Sequence, residues 1–139
     1  MSELILQGGC QCGALRYAVR GQPVDLYVCH CLECRHQSAS AFGISVIVRS
    51  ADFAVVKGTP RVWTRKAKVA GTLDCYFCPT CGSRCWHGDP AREETISVKG
   101  GSLDSPPDLS RAKHIWTKRR MPGVVIPKHV ETYEEEPPG

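Results

Sequence analysis

The chain has 139 residues, a formal net charge of +4, 42% hydrophobic and 23% charged residues, the balance of one globular domain with a modest core. A charge this mild does not require a nucleic-acid partner. The longest apolar runs, such as Val46-Ile47-Val48, are too short to span a membrane.

Leu4-Ile5-Leu6 reads as a first strand and Gly8-Gly9 as a tight turn carrying Cys10 and Cys12. Ala14 to Arg20 alternates, with Leu15, Tyr17 and Val19 on one face, as a half-buried strand does. Val24 to Cys29 is a strand that leads into Cys29-His30-Cys31-Leu32-Glu33-Cys34. Arg35 to Ala39 reads as one or two helical turns, and Phe42 to Arg49 as a strand with Ile44, Val46 and Val48 on one face. Phe53 to Lys57 and Arg61 to Arg65 are short strands split by Gly58-Thr59-Pro60. Val69 to Phe77 delivers Cys78 and Cys81 into a second turn, which Arg84 to His87 leaves as a strand. Ile96 and Val98 mark another strand, Asp108 to Arg111 a helical turn, and His114 to Thr117 and Val124 to Ile126 the last strands. The expectation is a mainly β protein of antiparallel sheets with short helical turns. Residues 1–130 form a single domain, and 131–139 an acidic, proline-containing tail that frays.

The chain starts Met1-Ser2-Glu3-Leu4, with no basic segment before an apolar run, so the expected address is cytoplasmic, where thiols stay reduced. Charge is uneven. Arg61, Arg65, Lys66 and Lys68 form one basic group, Lys113, Lys118, Arg119 and Arg120 another, and Glu131, Glu134, Glu135 and Glu136 an acidic run. Each run suits a solvated face, or a counter-charge for an anionic ligand.

The nine cysteines carry the chemistry. An odd count at knuckle spacings favours metal over a disulfide framework. Cys10-Gln11-Cys12 and Cys78-Pro79-Thr80-Cys81 each place two sulfurs on a turn closed by a glycine, Gly13 or Gly82, and together suit a structural zinc. Cys29, Cys31 and Cys34 can cup one face of a second ion. Spacing alone leaves three readings of this trio. It holds a zinc with one open position, or a zinc closed by Cys75, Cys85, His30, His36 or His87, or it is buried thiol. Cys75 and Cys85 lie on strands and read as small buried hydrophobes.

Three of these segments carry a family likeness. They are Gly9-Cys10-Gln11-Cys12-Gly13-Ala14, Cys29-His30-Cys31-Leu32-Glu33-Cys34-Arg35 and Phe77-Cys78-Pro79-Thr80-Cys81-Gly82-Ser83. Together they resemble the glutathione-dependent formaldehyde-activating enzymes, a family that includes centromere protein V-like proteins. Gly101-Ser102-Leu103-Asp104 and His114-Ile115-Trp116 extend the resemblance. Met121-Pro122-Gly123 departs from it, standing where an aromatic residue often precedes the last strand.

The resemblance implies a zinc-stapled, Mss4-like β fold with a structural zinc on Cys10, Cys12, Cys78 and Cys81. It implies a catalytic zinc on Cys29, Cys31 and Cys34, two ions in all. The implied reaction is condensation of glutathione, the co-substrate, with formaldehyde or a related small aldehyde: a carbon-sulfur lyase reaction in reverse. Arg35, Arg61, Arg65 and Lys118 are candidates for the carboxylates of glutathione, and His36 or Glu33 for moving a proton. The alternative is a zinc module that binds glutathione or another partner without chemistry. Oligomeric state is not legible.

Overall fold

The computed structural model describes residues 4–67 and 71–138. Lys68, assigned above to a basic group, and Val69, assigned to the start of a strand, lie outside the described residues, as do residues 1–3 and 139. The architecture is mainly β, as the pattern predicted, in two sheets. The smaller has the order β1 (Ile5–Gly9), β2 (Arg16–Arg20), β5 (Phe53–Lys57). The larger joins β3 (Asp25–Cys29), β4 (Gly43–Arg49), β6 (Arg61–Lys66), β7 (Thr72–Phe77), β8 (Arg84–His87), β9 (Thr95–Lys99) and β10 (Lys113–Ile115). Its order is β10-β3-β4-β9-β8-β7-β6, antiparallel except for the parallel pair β10–β3. One helix of two turns, α1 (Leu32–Ser38), stands between β3 and β4. This agrees with the Mss4-like expectation. No helix among the described residues is long and apolar enough to cross a membrane.

The period-two pattern decides which face is buried. Leu15, Tyr17 and Val19 are all buried, and they meet Val46, Val48, Ile96, Val98 and Trp86 from one face of the large sheet. Trp86 anchors this core, with its ring centroid 4.8 Å from that of Phe53 and 5.1 Å from that of Tyr76. The other face of the large sheet carries the alternate residues, among them Ser45, Ser97 and Lys99. β9 shows the division: Ile96 and Val98 point into the core, while Ser97 and Lys99 face away from it.

Four local expectations are corrected. Gly8 and Gly9 are not a turn but the end of β1. A Cβ on Gly8 would lie 2.5 Å from the Ser102 carbonyl oxygen and from the Tyr17 hydroxyl, so only glycine lets these segments meet. The helical turns do not wait for Arg35; α1 begins at Leu32, because the Cys31 sulfur accepts a hydrogen bond from the Cys34 N–H at 3.3 Å and caps the helix. Residues 124–126 form no strand, since the place beside β10 is taken by Thr132, which bridges His114 in parallel. Finally, the acidic tail does not fray. Tyr133 N–H donates to His114 O, Thr117 N–H to Tyr133 O and Trp116 N–H to Glu135 O, at 2.9 to 3.1 Å. Lys118 pairs with Glu135, and the Trp116 indole donates to Glu136 at 2.7 Å.

Candidate functional site

The cysteines form two groups. Cys10, Cys12, Cys78 and Cys81 bring their sulfurs within 4.8 Å of one another, and so, separately, do Cys29, Cys31 and Cys34. No disulfide joins any of the nine cysteines. Cys75 and Cys85 are fully buried on β7 and β8 and belong to neither group.

The first group is built from two matching knuckles. Cys10 N–H donates to Leu15 O at 3.0 Å, and Cys78 N–H to Ser83 O at 3.0 Å. Gly13 and Gly82 turn each loop at φ +82° and +81°. Backbone N–H groups then point at sulfur, Leu15 at Cys10 (3.2 Å) and Thr80 at Cys78 (3.3 Å); against the raising effect of burial, the Leu15 N–H and the neighbouring sulfurs of Cys78 and Cys12 bring the Cys10 thiol below its ordinary value. The Cys81 thiol is pulled down to about 5 by the Ser83 hydroxyl and backbone N–H and by the Cys12 backbone. Cys10 lies 3.7 Å from Cys12 and Cys12 lies 3.8 Å from Cys78. A zinc–sulfur bond of about 2.3 Å gives a tetrahedron edge of about 3.8 Å, so the donor set fits a four-coordinate zinc.

The second group is local. β3 ends at Cys29, Cys31 caps α1, and Cys34 lies in its first turn. All three are buried, and they pack with Ile115 against Tyr27, Trp116 and Tyr133. No histidine, aspartate, glutamate or further cysteine joins the trio among the described residues. His30, between two of its members, is wholly buried and turned to His114, Nε2 to Nδ1 at 2.9 Å, with the rings stacked. Burial, together with His114 and Arg120, drives His30 down to about 4, and burial also lowers His114. Contact with Cys29 favours the Cys34 thiolate, but the Cys31 sulfur and burial outweigh it and hold that thiol above its ordinary value, while Lys99 pulls the other way.

Two clefts lie near the sulfurs. The larger, 640 Å³, is bordered by Cys10 and the last turn of α1 and touches none of the trio. The smaller, 320 Å³, is lined by Cys29 and Cys34, by the apolar Ile47, Leu73 and Ile115, and by Arg65, His87 and Lys99. It reaches the sulfur group that no fourth side-chain ligand joins among the described residues.

Of the basic candidates, Arg65 alone lines this cleft, with its Nε 3.4 Å from Glu33. Lys118 is paired with Glu135, Arg61 is exposed at the start of β6, and Arg35 lies outside the cleft. His36 is exposed and does not line it either. Lys99 and His87 also line the cleft; Lys99 was not among the basic candidates, and His87 was named only as a possible fourth ligand of the trio, which it does not join. The signal for Lys99 was present: the alternation that buries Ile96 and Val98 continues one residue further and puts Lys99 on the cleft face.

The family model for glutathione-dependent formaldehyde-activating enzymes matches residues 5–119. A Halomonas elongata protein, provisionally named a glutathione-dependent formaldehyde-activating enzyme, is 31% identical over 113 residues, covering 78% of this chain and 70% of that protein. The crystal structure of a Rhodobacter sphaeroides protein matches with a TM-score of 0.57 at 25% identity, over 78% of this chain and 98% of the other. The family match spans both knuckles, the trio and the whole of β1 to β10, and the chain therefore belongs to the glutathione-dependent formaldehyde-activating enzyme family.

Proposed function

We propose that this protein is a carbon-sulfur lyase that interconverts a thiol, formaldehyde or a related small aldehyde, and their hydroxymethyl thioether, with glutathione as the thiol. Cys29, Cys31 and Cys34 would hold a catalytic zinc, and Cys10, Cys12, Cys78 and Cys81 a structural one. The observation that carries this reading is the three-sulfur group beside the 320 Å³ cleft, with no fourth side-chain ligand among the described residues. Family membership supports glutathione and formaldehyde as the reactants.

A zinc held by the trio supplies positive charge that favours the deprotonated form of an incoming thiol. The chain does the rest. Tyr27, Ile47, Leu73 and Ile115 wall the cleft and limit water around the reacting sulfur. Holding thiol and aldehyde together turns a two-body encounter into a local one. The sulfur lone pair forms the new bond to the aldehyde carbon, the carbonyl π pair moves to oxygen, and the proton lost by the thiol ends on that oxygen. The reverse breaks the same carbon–sulfur bond. His87 is not the acid: burial, with Lys99, Arg84 and Arg65 nearby, takes it down to about 2. It is a neutral polar wall.

Thiol and formaldehyde combine without a catalyst, so the decisive assay is exchange at equilibrium between glutathione and its hydroxymethyl adduct, followed by NMR. Exchange should speed up in proportion to protein, and Cys31→Ser should remove the acceleration. A protein that binds glutathione yet leaves the exchange rate unchanged is a carrier, and the lyase reading fails.

A further inference from the structure

We infer that the acidic tail, from Glu131 to Pro137, is a strap that walls the cleft beside Cys29 and Cys34, and that it limits the bulk of the thiol that reaches those sulfurs. This deepens the reading above and rests on it for the thiol; the wall itself is read without turnover.

The edge of the large sheet decides where the tail goes. β10 is the last strand on its side, and an open edge leaves a row of N–H and C=O groups in need of partners. The tail supplies them. His114 N–H donates to Glu131 O at 3.0 Å and Tyr133 N–H to His114 O at 2.9 Å, and Thr132 bridges His114 in parallel. Past β10 the chain turns through Trp116, which sits in the left-handed region at φ +57°. Two consecutive N–H groups then face the tail: Trp116 donates to Glu135 O and Thr117 to Tyr133 O, both at 3.1 Å. A left-handed tryptophan is unfavourable in itself, and these two bonds offset that cost.

Two side chains of the tail are turned inward. From Glu131 to Pro138 every residue is exposed except Tyr133 and Pro137, which are half-buried. Tyr133 packs against the cluster of Cys29, Cys31, Cys34 and Ile115. Pro137 and its neighbour Glu136 line the cleft together with Cys29 and Cys34. The Trp116 indole donates to the Glu136 carboxylate at 2.7 Å, and Lys118 pairs with Glu135. That pair is largely exposed, with side chains 42% and 56% accessible, and such pairs hold a segment only loosely. Pro137 and Pro138 have a fixed φ, so they make a stiff wall that loses little freedom on docking. At 320 Å³ the cleft is at the small end of ligand pockets. A thiol on a slender, unbranched arm suits such a space, and one joined directly to a ring or a branched carbon meets the wall. The family match ends at residue 119, and the strap lies beyond it.

The test is alkylation of the zinc-loaded full chain by iodoacetamide and by the bulky N-(1-pyrenyl)maleimide, with rates at Cys29 and Cys34 read by peptide mass spectrometry. The ratio of the two rates reports access, because a change in sulfur reactivity, loss of zinc included, moves both together. Deleting residues 136–139 keeps the backbone bonds of Glu131, Tyr133 and Glu135 and removes the wall. It should raise the maleimide rate about tenfold, as expected when access follows the opened population and one charge-assisted contact is lost, and leave the iodoacetamide rate within about twofold. Trp116→Phe keeps an aromatic ring and the whole tail but removes the indole donor to Glu136. It should shift the ratio the same way by a smaller factor, and it carries the comparison if the deletion melts early. The exposed Cys12 and Cys81 serve as internal standards. An unchanged ratio, a rise shared by Cys12 and Cys81, or a trio that reacts with neither reagent in any variant would overturn the inference. A shifted ratio without accelerated glutathione exchange would leave the strap standing and sink the lyase reading alone.

Discussion

The two sulfur groups are made of the same residue, and the chain places them in different surroundings. The four-sulfur group joins segments 66 residues apart, at Cys12 and Cys78, and Cys10 and Cys78 are packed into the main core with Trp86. The trio comes from six consecutive residues and lies in a small satellite cluster at the edge of a cleft. A ligand set that closes a long loop contributes to folding. On the function proposed above, a local set, already shaped by a strand end and a helix cap, leaves a place for something from outside.

The largest effect should separate the groups directly. A structural zinc contributes on the order of 10 kcal/mol to folding, as much as the whole stability of a domain. Cys78→Ser should therefore be unfolded by circular dichroism. Cys31→Ser should stay folded, since serine is itself a good helix cap, and should lose about one zinc per chain. A folded Cys78→Ser with an unfolded Cys31→Ser would reverse the assignment.

A smaller effect tests the close approach of β1 to the segment after β9, where Gly8 bridges Leu103. Gly8→Ala drives a methyl group into the Ser102 carbonyl and the Tyr17 hydroxyl, and should cost about 1–3 kcal/mol in urea unfolding. The exchange activity per folded molecule should be unchanged.

On the cleft side, acid should act through His87. Its folded pKa of about 2 lies below the ordinary 6.5, so below pH 6.5 the unfolded chain takes up a proton that the folded chain refuses. This contribution is fully present above pH 6.5. It is lost at about 1.4 kcal/mol per unit as pH falls toward 2. His87→Gln should lessen the pH slope of stability by that amount between pH 6 and 5, and an unchanged slope would mean His87 is not held neutral. The smallest effect belongs to the surface. Arg16 and Asp104 pair at a solvent-exposed rim, and Arg16→Ala should cost less than about 1 kcal/mol and vanish in high salt.

The sequence was most readable where one force dominates. β2 alternates because water lies on one side, and Leu15, Tyr17 and Val19 are buried as that pattern requires. The two knuckles announce themselves by cysteine and glycine spacing, and Cys75 and Cys85 are buried thiols, as lone strand cysteines should be. Tertiary partners decided the rest. Residues 124–126 look like a strand, but Thr132 occupies the edge they would need. The tail is too acidic to bury on its own, yet it docks through backbone bonds to His114, Trp116 and Thr117 that no local pattern reveals. Arg65 and Lys99 meet in one cleft only through the order of strands β6 to β9.

The central claim is that one sulfur group is saturated and the other is not. X-ray absorption at the zinc edge measures this directly. The account predicts two zincs per chain and an average of about 3.5 sulfurs per zinc, with a lighter ligand making up the remainder, rising to about 4 when glutathione is added. Four sulfurs per zinc before glutathione, or a single zinc per chain, would contradict it.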